Sequence, residues 1–172
     1  KGLGLKDGSK ASIFGTGRPE WGISYFGIVS YGMIAVPLLP DFSDTEIAAI
    51  FEHCGVDAVF VESKLYSKLE KLGNKLPSIV INLEDFKIIK GPKGCGQNIT
   101  DYAEQSEPVS NTQEEDTASI IYTSGTTGRS KGVELTHKNL VWTCVQCQHT
   151  HRVHKLDRTL SFLPLSHVYE FT

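Results

Sequence analysis

The stretch from Ile120 to Val133 gathers the groups that a polyphosphate needs. An apolar, strand-forming run, Ile120-Ile121-Tyr122, feeds Thr123-Ser124-Gly125-Thr126-Thr127-Gly128. Arg129-Ser130-Lys131-Gly132-Val133 follows. Glycines let backbone N–H groups turn toward an anion with no Cβ in the way. Serine and threonine hydroxyls add rotatable donors. Lys131 adds a compact, mobile positive charge. A second short apolar segment, Val133-Glu134-Leu135-Thr136, leads out, so the loop reads as the turn of a hairpin.

This is not a Walker A loop. That pattern needs glycine, four residues, then Gly-Lys-Ser/Thr at the mouth of a helix. Here Ser130 precedes Lys131, Gly132 follows it, and the exit is strand-like. A plain surface turn rich in Ser, Thr and Gly is the weaker reading of this composition and flanking pattern.

The full string resembles the phosphate-loop signature of the adenylate-forming enzymes. These include the acyl- and aryl-CoA synthetases, luciferases and peptide-synthetase adenylation domains. Their pattern, Tyr-Thr-Ser-Gly-Thr-Thr-Gly-x-Pro-Lys-Gly-Val, is followed except at Ser130, where proline is usual. Without proline the loop is freer before ligand binds. Leu135-Thr136-His137-Lys138-Asn139-Leu140 and Phe162-Leu163-Pro164-Leu165-Ser166-His167-Val168-Tyr169-Glu170 resemble the same family, in the same order. The second is most similar to the long-chain fatty acyl-CoA synthetase branch. Phe171 stands where that branch has arginine, so no role carries over for it. Upstream, Arg18-Pro19-Glu20-Trp21 and Gly32-Met33-Ile34-Ala35-Val36-Pro37-Leu38 also fit.

The resemblance implies ATP-dependent activation of a carboxylic acid, a medium- or long-chain fatty acid, through an acyl-adenylate to a CoA thioester. Two alternatives stay open: an acyl-AMP ligase or adenylation domain that loads a carrier protein, and a non-catalytic nucleotide-binding module. The resemblance assigns Thr123, Ser124, Gly125, Thr126, Thr127, Gly128 and Lys131 to the ATP phosphates and Thr123 to Mg²⁺, with coenzyme A as co-substrate. It places His167 near the adenylate junction as the catalytic candidate. Taken alone, such a histidine is more often bonded to backbone. Glu170 reads as a structural carboxylate at the same turn. The family's Tyr-Gly-x-Thr-Glu segment, ribose-binding aspartate, hinge and C-terminal domain with its lysine have no counterpart here. The chain is therefore expected to be an N-terminal fragment, inactive by itself, whose function belongs to a longer parent. Lys1 is not an initiator, and Met33 is the sole methionine.

A net charge of −3 gives no electrostatic case for nucleic acid or an anionic membrane. No apolar run approaches the length of a membrane span, while peripheral membrane contact stays open. Cys54, Cys95, Cys144 and Cys147 are sparse, which reads as reduced, intracellular and cytoplasmic. Cys144 and Cys147 with His149, His151 and His154 invite a zinc site. The better reading makes the two cysteines helical neighbours, small and buried, since no second ligand pair is suitably spaced.

The elements that position these residues follow from periodicity. Ala11 to Phe14 reads as a strand. Pro19 opens a helix on which Trp21, Tyr25, Ile28 or Val29, and Gly32 recur. Ile34 to Leu38 is a strand. Ser43-Asp44-Thr45-Glu46 is a capping box for a helix whose Ile47, Ile50, Phe51 and Cys54 share a face. Val56 to Val61 is a strand. Leu65, Leu69 and Leu72 mark a helix ended by Gly73, and Ser78 to Asn82 is a strand. This alternation predicts an α/β fold with a mostly parallel sheet, flanking helices and the phosphate-loop hairpin. Residues 1–82 are the alternating part. Residues 83–117 form a peripheral connection with one short helix near Asp101 to Gln105. Residues 118–172 carry the loop, a Lys138–Gln148 helix capped by Thr136 or His137, a strand near Thr159 to Leu163, and the His motif. Gly15-Thr16-Gly17 is similar to a dinucleotide fingerprint, but Glu20 occupies its third glycine position, so ordinary turn residues are the better reading. Trp142, Phe162, Leu163 and Phe171 are expected to lack cover and to promote self-association.

Overall fold

β1 (Lys10–Phe14) lies inside a seven-stranded sheet of order β5-β4-β3-β1-β2-β6-β7. The computed structural model describes residues 2–92, 94–102, 111–123, 131–150, 154, 156–158, 165 and 166. β1 pairs in parallel with β2 (Ile34–Leu38) and with β3 (Ala58–Val61). β3 pairs in parallel with β4 (Ile79–Asn82), and β2 with β6 (Thr117–Thr123). The mostly parallel α/β sheet expected from the alternation is present. Its inner strands are buried on both faces, and so read as continuous apolar runs, Ala-Val-Phe-Val in β3.

The chain steps from β1 to β2 on one side, then recrosses β1 to reach β3 on the other. Right-handed crossovers in opposite directions must put their helices on opposite faces. α1 (Pro19–Ser30) accordingly buries Trp21, Tyr25 and Ile28 against Ala11, Ile13, Ala35 and Phe60. α2 (Asp44–Cys54) buries Ile47, Ile50 and Phe51 against Phe14, Val36, Val59 and Val80. Ile13 and Phe14 thus serve different layers, as the period of two demands.

Local signals set the helix ends. Pro19 occupies the first turn of α1. The Ser43 hydroxyl accepts from the Glu46 N–H at 3.3 Å, and the Glu46 carboxylate accepts from the Ser43 N–H at 2.9 Å. Gly55 ends α2 in the left-handed region, φ 68°.

Three expectations change. The helix marked by Leu65, Leu69 and Leu72 is only α3 (Tyr66–Glu70), flanked by 3₁₀ turns at Ser63–Leu65 and Gly73–Lys75. Gly73 has φ +55° but belongs to the second of these turns, so it does not terminate the helix. Both windings bring leucines three or four apart onto the sheet, so the spacing did not discriminate. The connection after Leu83 holds β5 (Ile88–Lys90), antiparallel to β4. Its expected short helix is a 3₁₀ turn at Ile99–Tyr102, and residues 103–105 lie outside the described ones.

β7 (Lys131–Thr136) completes the hairpin with β6, and α4 (His137–Thr150) follows. Thr136 caps α4: its Oγ1 accepts from the Asn139 N–H at 3.2 Å, and its own N–H donates to Asn139 Oδ1 at 3.0 Å. Val141, Trp142 and Val145 are 62, 64 and 42% exposed, in line with the uncovered surface expected at Trp142. Cys147 is also exposed and Cys144 half-buried, so they are not the buried pair that sequence suggested. The strand expected near residues 159–163, with Phe162, Leu163 and Phe171, lies outside the described residues.

Candidate active site

The β6–β7 hairpin brings the first and last chemically useful residues of the loop together. Its register pairs Ile121 with Val133, Tyr122 with Gly132, and Thr123 with Lys131. The two strands therefore end level, with exposed Thr123 and Lys131 opposite one another at the base of the turn. Gly132 leaves room for its partner. A Cβ there would lie 3.0 Å from Ile120 Cγ2 and 3.2 Å from Tyr122 Cζ. Ser124, Gly125, Thr126, Thr127 and Gly128 lie outside the described residues, as do His167 and Glu170.

Tyr122 anchors the stem. Its side chain is 4% exposed and faces the layer that α2 covers. The phenol oxygen lies 2.7 Å from His53 Nδ1, in the last turn of α2, and the two rings meet edge to face. Burial, with the Cys54 thiol beside it, holds the phenol well above its ordinary pKa, so it stays a neutral hydrogen-bonding group. Nothing local in the sequence marks this contact, because 69 residues separate its partners.

In a parallel sheet, ligands gather outside the carboxyl ends of strands, at the point where strand order reverses. Here that point lies between β1 and β3. It is already filled. Glu62 follows β3 and is 5% exposed. Its Oε2 accepts from both the N–H and the hydroxyl of Thr16, each at 2.9 Å. Lys64 Nζ lies 3.0 Å from Oε1, and Arg18 reaches Glu20, Glu62 and Glu84. A Cβ at Gly15 would come 2.5 Å from Leu83 Cδ2 and 3.6 Å from Glu62 Oε2, so this glycine serves a close approach. A carboxylate thus takes the donors that a dinucleotide phosphate would want. The turn-residue reading of Gly15-Thr16-Gly17 fits this arrangement. Leu165 packs beside Gly17 and against the α1 layer, with Ser166 buried next to it. Leu165 and Ser166 therefore lie near the carboxyl end of β1.

Burial alone would raise the Glu62 carboxyl. The Thr16 N–H, Lys64 and the Thr16 hydroxyl outweigh it and hold the group below its ordinary value. A carboxyl depressed on folding stabilises the fold above its unfolded pKa and loses that contribution as pH falls through the folded one. Acid should therefore destabilise the protein partly through Glu62. Glu62→Gln, which keeps an acceptor but not the charge, is expected to cost about 2 kcal/mol near neutrality and to flatten the acid limb of stability. Melting curves from neutral pH down to about pH 3 would check it, and an unchanged acid limb would exclude Glu62 as its source.

Comparison with known proteins places this architecture. The chain is 30% identical over 178 residues to a peroxisomal long chain acyl-CoA synthetase 7 of Arabidopsis thaliana, covering 97% of this chain and 25% of that protein. It is 32% identical to long-chain-fatty-acid–CoA ligase 1 of Homo sapiens, covering 92% of this chain and 25% of that one. It thus spans about a quarter of the length of these relatives. Its fold is shared with ATP-bound MatB of Rhodopseudomonas palustris, at a TM-score of 0.77 and 23% identity, over 98% of this chain and 32% of that one. A crystal structure described as a putative long-chain-fatty-acid CoA ligase from the same species superimposes with a TM-score of 0.80 at 18% identity, over 98% and 43%. The family model described as AMP-binding enzyme matches residues 1–172, the whole chain. The chain belongs to the AMP-binding enzyme family, in company with acyl-CoA ligases.

Proposed function

We propose that the parent protein uses ATP to activate a medium- or long-chain fatty acid, forming an acyl-adenylate and then an acyl-CoA thioester. The observation that carries this reading is the level hairpin, which sets Thr123 and Lys131 face to face where the loop begins and ends. A carboxylate is a poor acyl donor because its oxygen is a poor leaving group. Attack of that oxygen on the α-phosphate of ATP forms the mixed anhydride and expels pyrophosphate. Such chemistry rests on positioning and charge stabilisation. Lys131 offsets phosphate charge at one side of the loop mouth, and the Thr123 hydroxyl serves the other. Ser124, Gly125, Thr126, Thr127 and Gly128 contribute the donors between them.

Mg²⁺ would enter with the nucleotide as part of the substrate. Among the described residues no group of three or more His, Cys, Asp and Glu side chains gathers to hold an ion. A single hydroxyl at Thr123 suits an ion that draws most of its ligands from phosphates and water. His167 is assigned to the adenylate junction. The return of Leu165 and Ser166 to the carboxyl end of β1 supports that assignment. Coenzyme A is the proposed acceptor, and the similarity to long-chain acyl-CoA ligases supports it over a carrier protein.

The full-length parent should release pyrophosphate only when ATP and a fatty acid are both present, and should form acyl-CoA on addition of CoA. ATP cleavage that ignores the acid would sink the reading. Acyl transfer to a carrier protein in place of CoA would replace the acceptor and leave adenylation standing.

A further inference from the structure

The contact between His53 and Tyr122 is a non-local polar tie near the far end of the hairpin stem that the function above does not use. We infer that His53, through Tyr122, is a positioning residue for the phosphate loop, and that it sets nucleotide affinity without touching nucleotide. The inference rests on the phosphate-loop assignment of the proposed function.

Geometry carries the argument. β6 alternates, so Ile120 and Tyr122 face the α2 layer, while Ser119 binds the Ala35 carbonyl and holds the strand to β2. Registry with β2 is fixed at Ala35↔Ser119, early in β6. Beyond that point the strand runs on to Thr123 with β7 beside it. β7 is itself the last strand, exposed along Lys131 to Glu134. Near its far end the stem has a fixture of its own. Tyr122 supplies it, one residue before Thr123 and directly across from Gly132, one residue after Lys131. Its ring fills the space that Gly132 vacates, and its hydroxyl reaches out of the sheet to His53 Nδ1 at 2.7 Å. A rotation of the Tyr122 backbone would carry Thr123 with it, because neighbouring strand residues project to opposite faces.

His53 is well placed to hold the hydroxyl. It sits in the last turn of α2, and its helix is capped at both ends, by the Ser43–Glu46 box and by Gly55. That makes α2 a rigid support. The imidazole is on the surface and the phenol is buried with the Cys54 thiol beside it, so His53 gives the buried hydroxyl a partner at the surface. With Nε2 protonated, Nδ1 accepts from the phenol. In the other tautomer it donates to the phenol oxygen. The tie exists in either form.

The test uses the full-length parent and four variants: His53→Ala, His53→Asn, Tyr122→Phe and the double His53→Ala/Tyr122→Phe. ATP binding is measured directly by titration, beside steady-state KM values and melting temperature. His53→Ala is expected to weaken ATP binding and raise KM for ATP about tenfold, a loss of one ordinary hydrogen bond's worth of positioning. KM for the fatty acid should stay within about twofold, since the acid does not rely on this loop. His53→Asn should restore part of the loss, because its amide occupies the place of Nδ1. Tyr122→Phe keeps the ring and should reproduce the ATP defect, and the double variant should be no worse than the weaker single one. Variants that melt earlier yet bind ATP like wild type would reduce the contact to a stabilising one and overturn the inference. Equal weakening toward ATP and acid would also overturn it, as a general loss of the fold. Absence of acid-dependent turnover in the wild type would count against the proposed function alone, since ATP titration still decides this point.

Discussion

Lys131→Ala in the full-length parent should lower the rate of adenylate formation about a hundredfold, the scale lost when one preorganised group is removed from a developing charge. Lys131 is exposed and, among the described residues, pairs with Thr123 through the backbone ladder, so the substitution removes a cation and leaves the register intact. Melting temperature should change little, because surface side chains contribute little to packing. Pyrophosphate release and a melting curve on the same preparation separate the two effects. A mutant with the wild-type adenylation rate would remove Lys131 from the phosphate site. Lys131→Arg is expected to recover charge but only part of the rate, since a planar fork does not replace a compact ammonium.

The largest effect on stability is expected at Phe14, the last residue of β1. Its side chain is fully buried and packs with Val36, Leu38, Val61 and Leu69 beneath α2 and α3. The Lys68 ammonium lies 6.0 Å from its ring centroid, while donating to the Pro40 and Phe42 carbonyls. Phe14→Ala should destabilise the fold by about 3–5 kcal/mol, the range for an aromatic removed from a well-packed core. β1 is bordered on both sides by β2 and β3, so the cavity has no free edge through which to collapse. Denaturant unfolding would measure the loss. A cost below about 1 kcal/mol would show that neighbouring side chains refill the space, and that Phe14 is not central to this layer.

Sequence spoke clearly where structure is local. The Ser43–Glu46 box and Pro19 are decided within one helical turn, and each forms as its residues suggest. The parallel sheet followed from the strand–helix alternation, and its inner strands are buried on both faces. β5 was missed because three residues beside a Gly-rich turn carry too little pattern, and pairing with the edge of β4 makes them a strand. The length of α3 was misjudged because its leucine spacing suits both helical windings. At the site, Thr123 and Lys131 were legible as two ends of one loop, and the register sets them opposite each other. Glu62 and His53 were invisible for a shared reason. Each acts on a residue 46 or 69 positions away, and no spacing rule reaches across a fold.

The hairpin sits at the rim of the sheet, while the packed interior is centred on β1 and β3. β7 is bonded to β6 on one side and has no described strand on the other. Opening its outer amides to solvent therefore breaks few contacts, whereas opening β1 would undo both core layers. Proton exchange along the backbone should be steeply graded, quick at the far strand and slow in the middle. A substrate that tightens the rim would be felt first as protection there, with the centre unmoved. The molecule can thus reshape its hairpin rim without drawing on the free energy that keeps it folded.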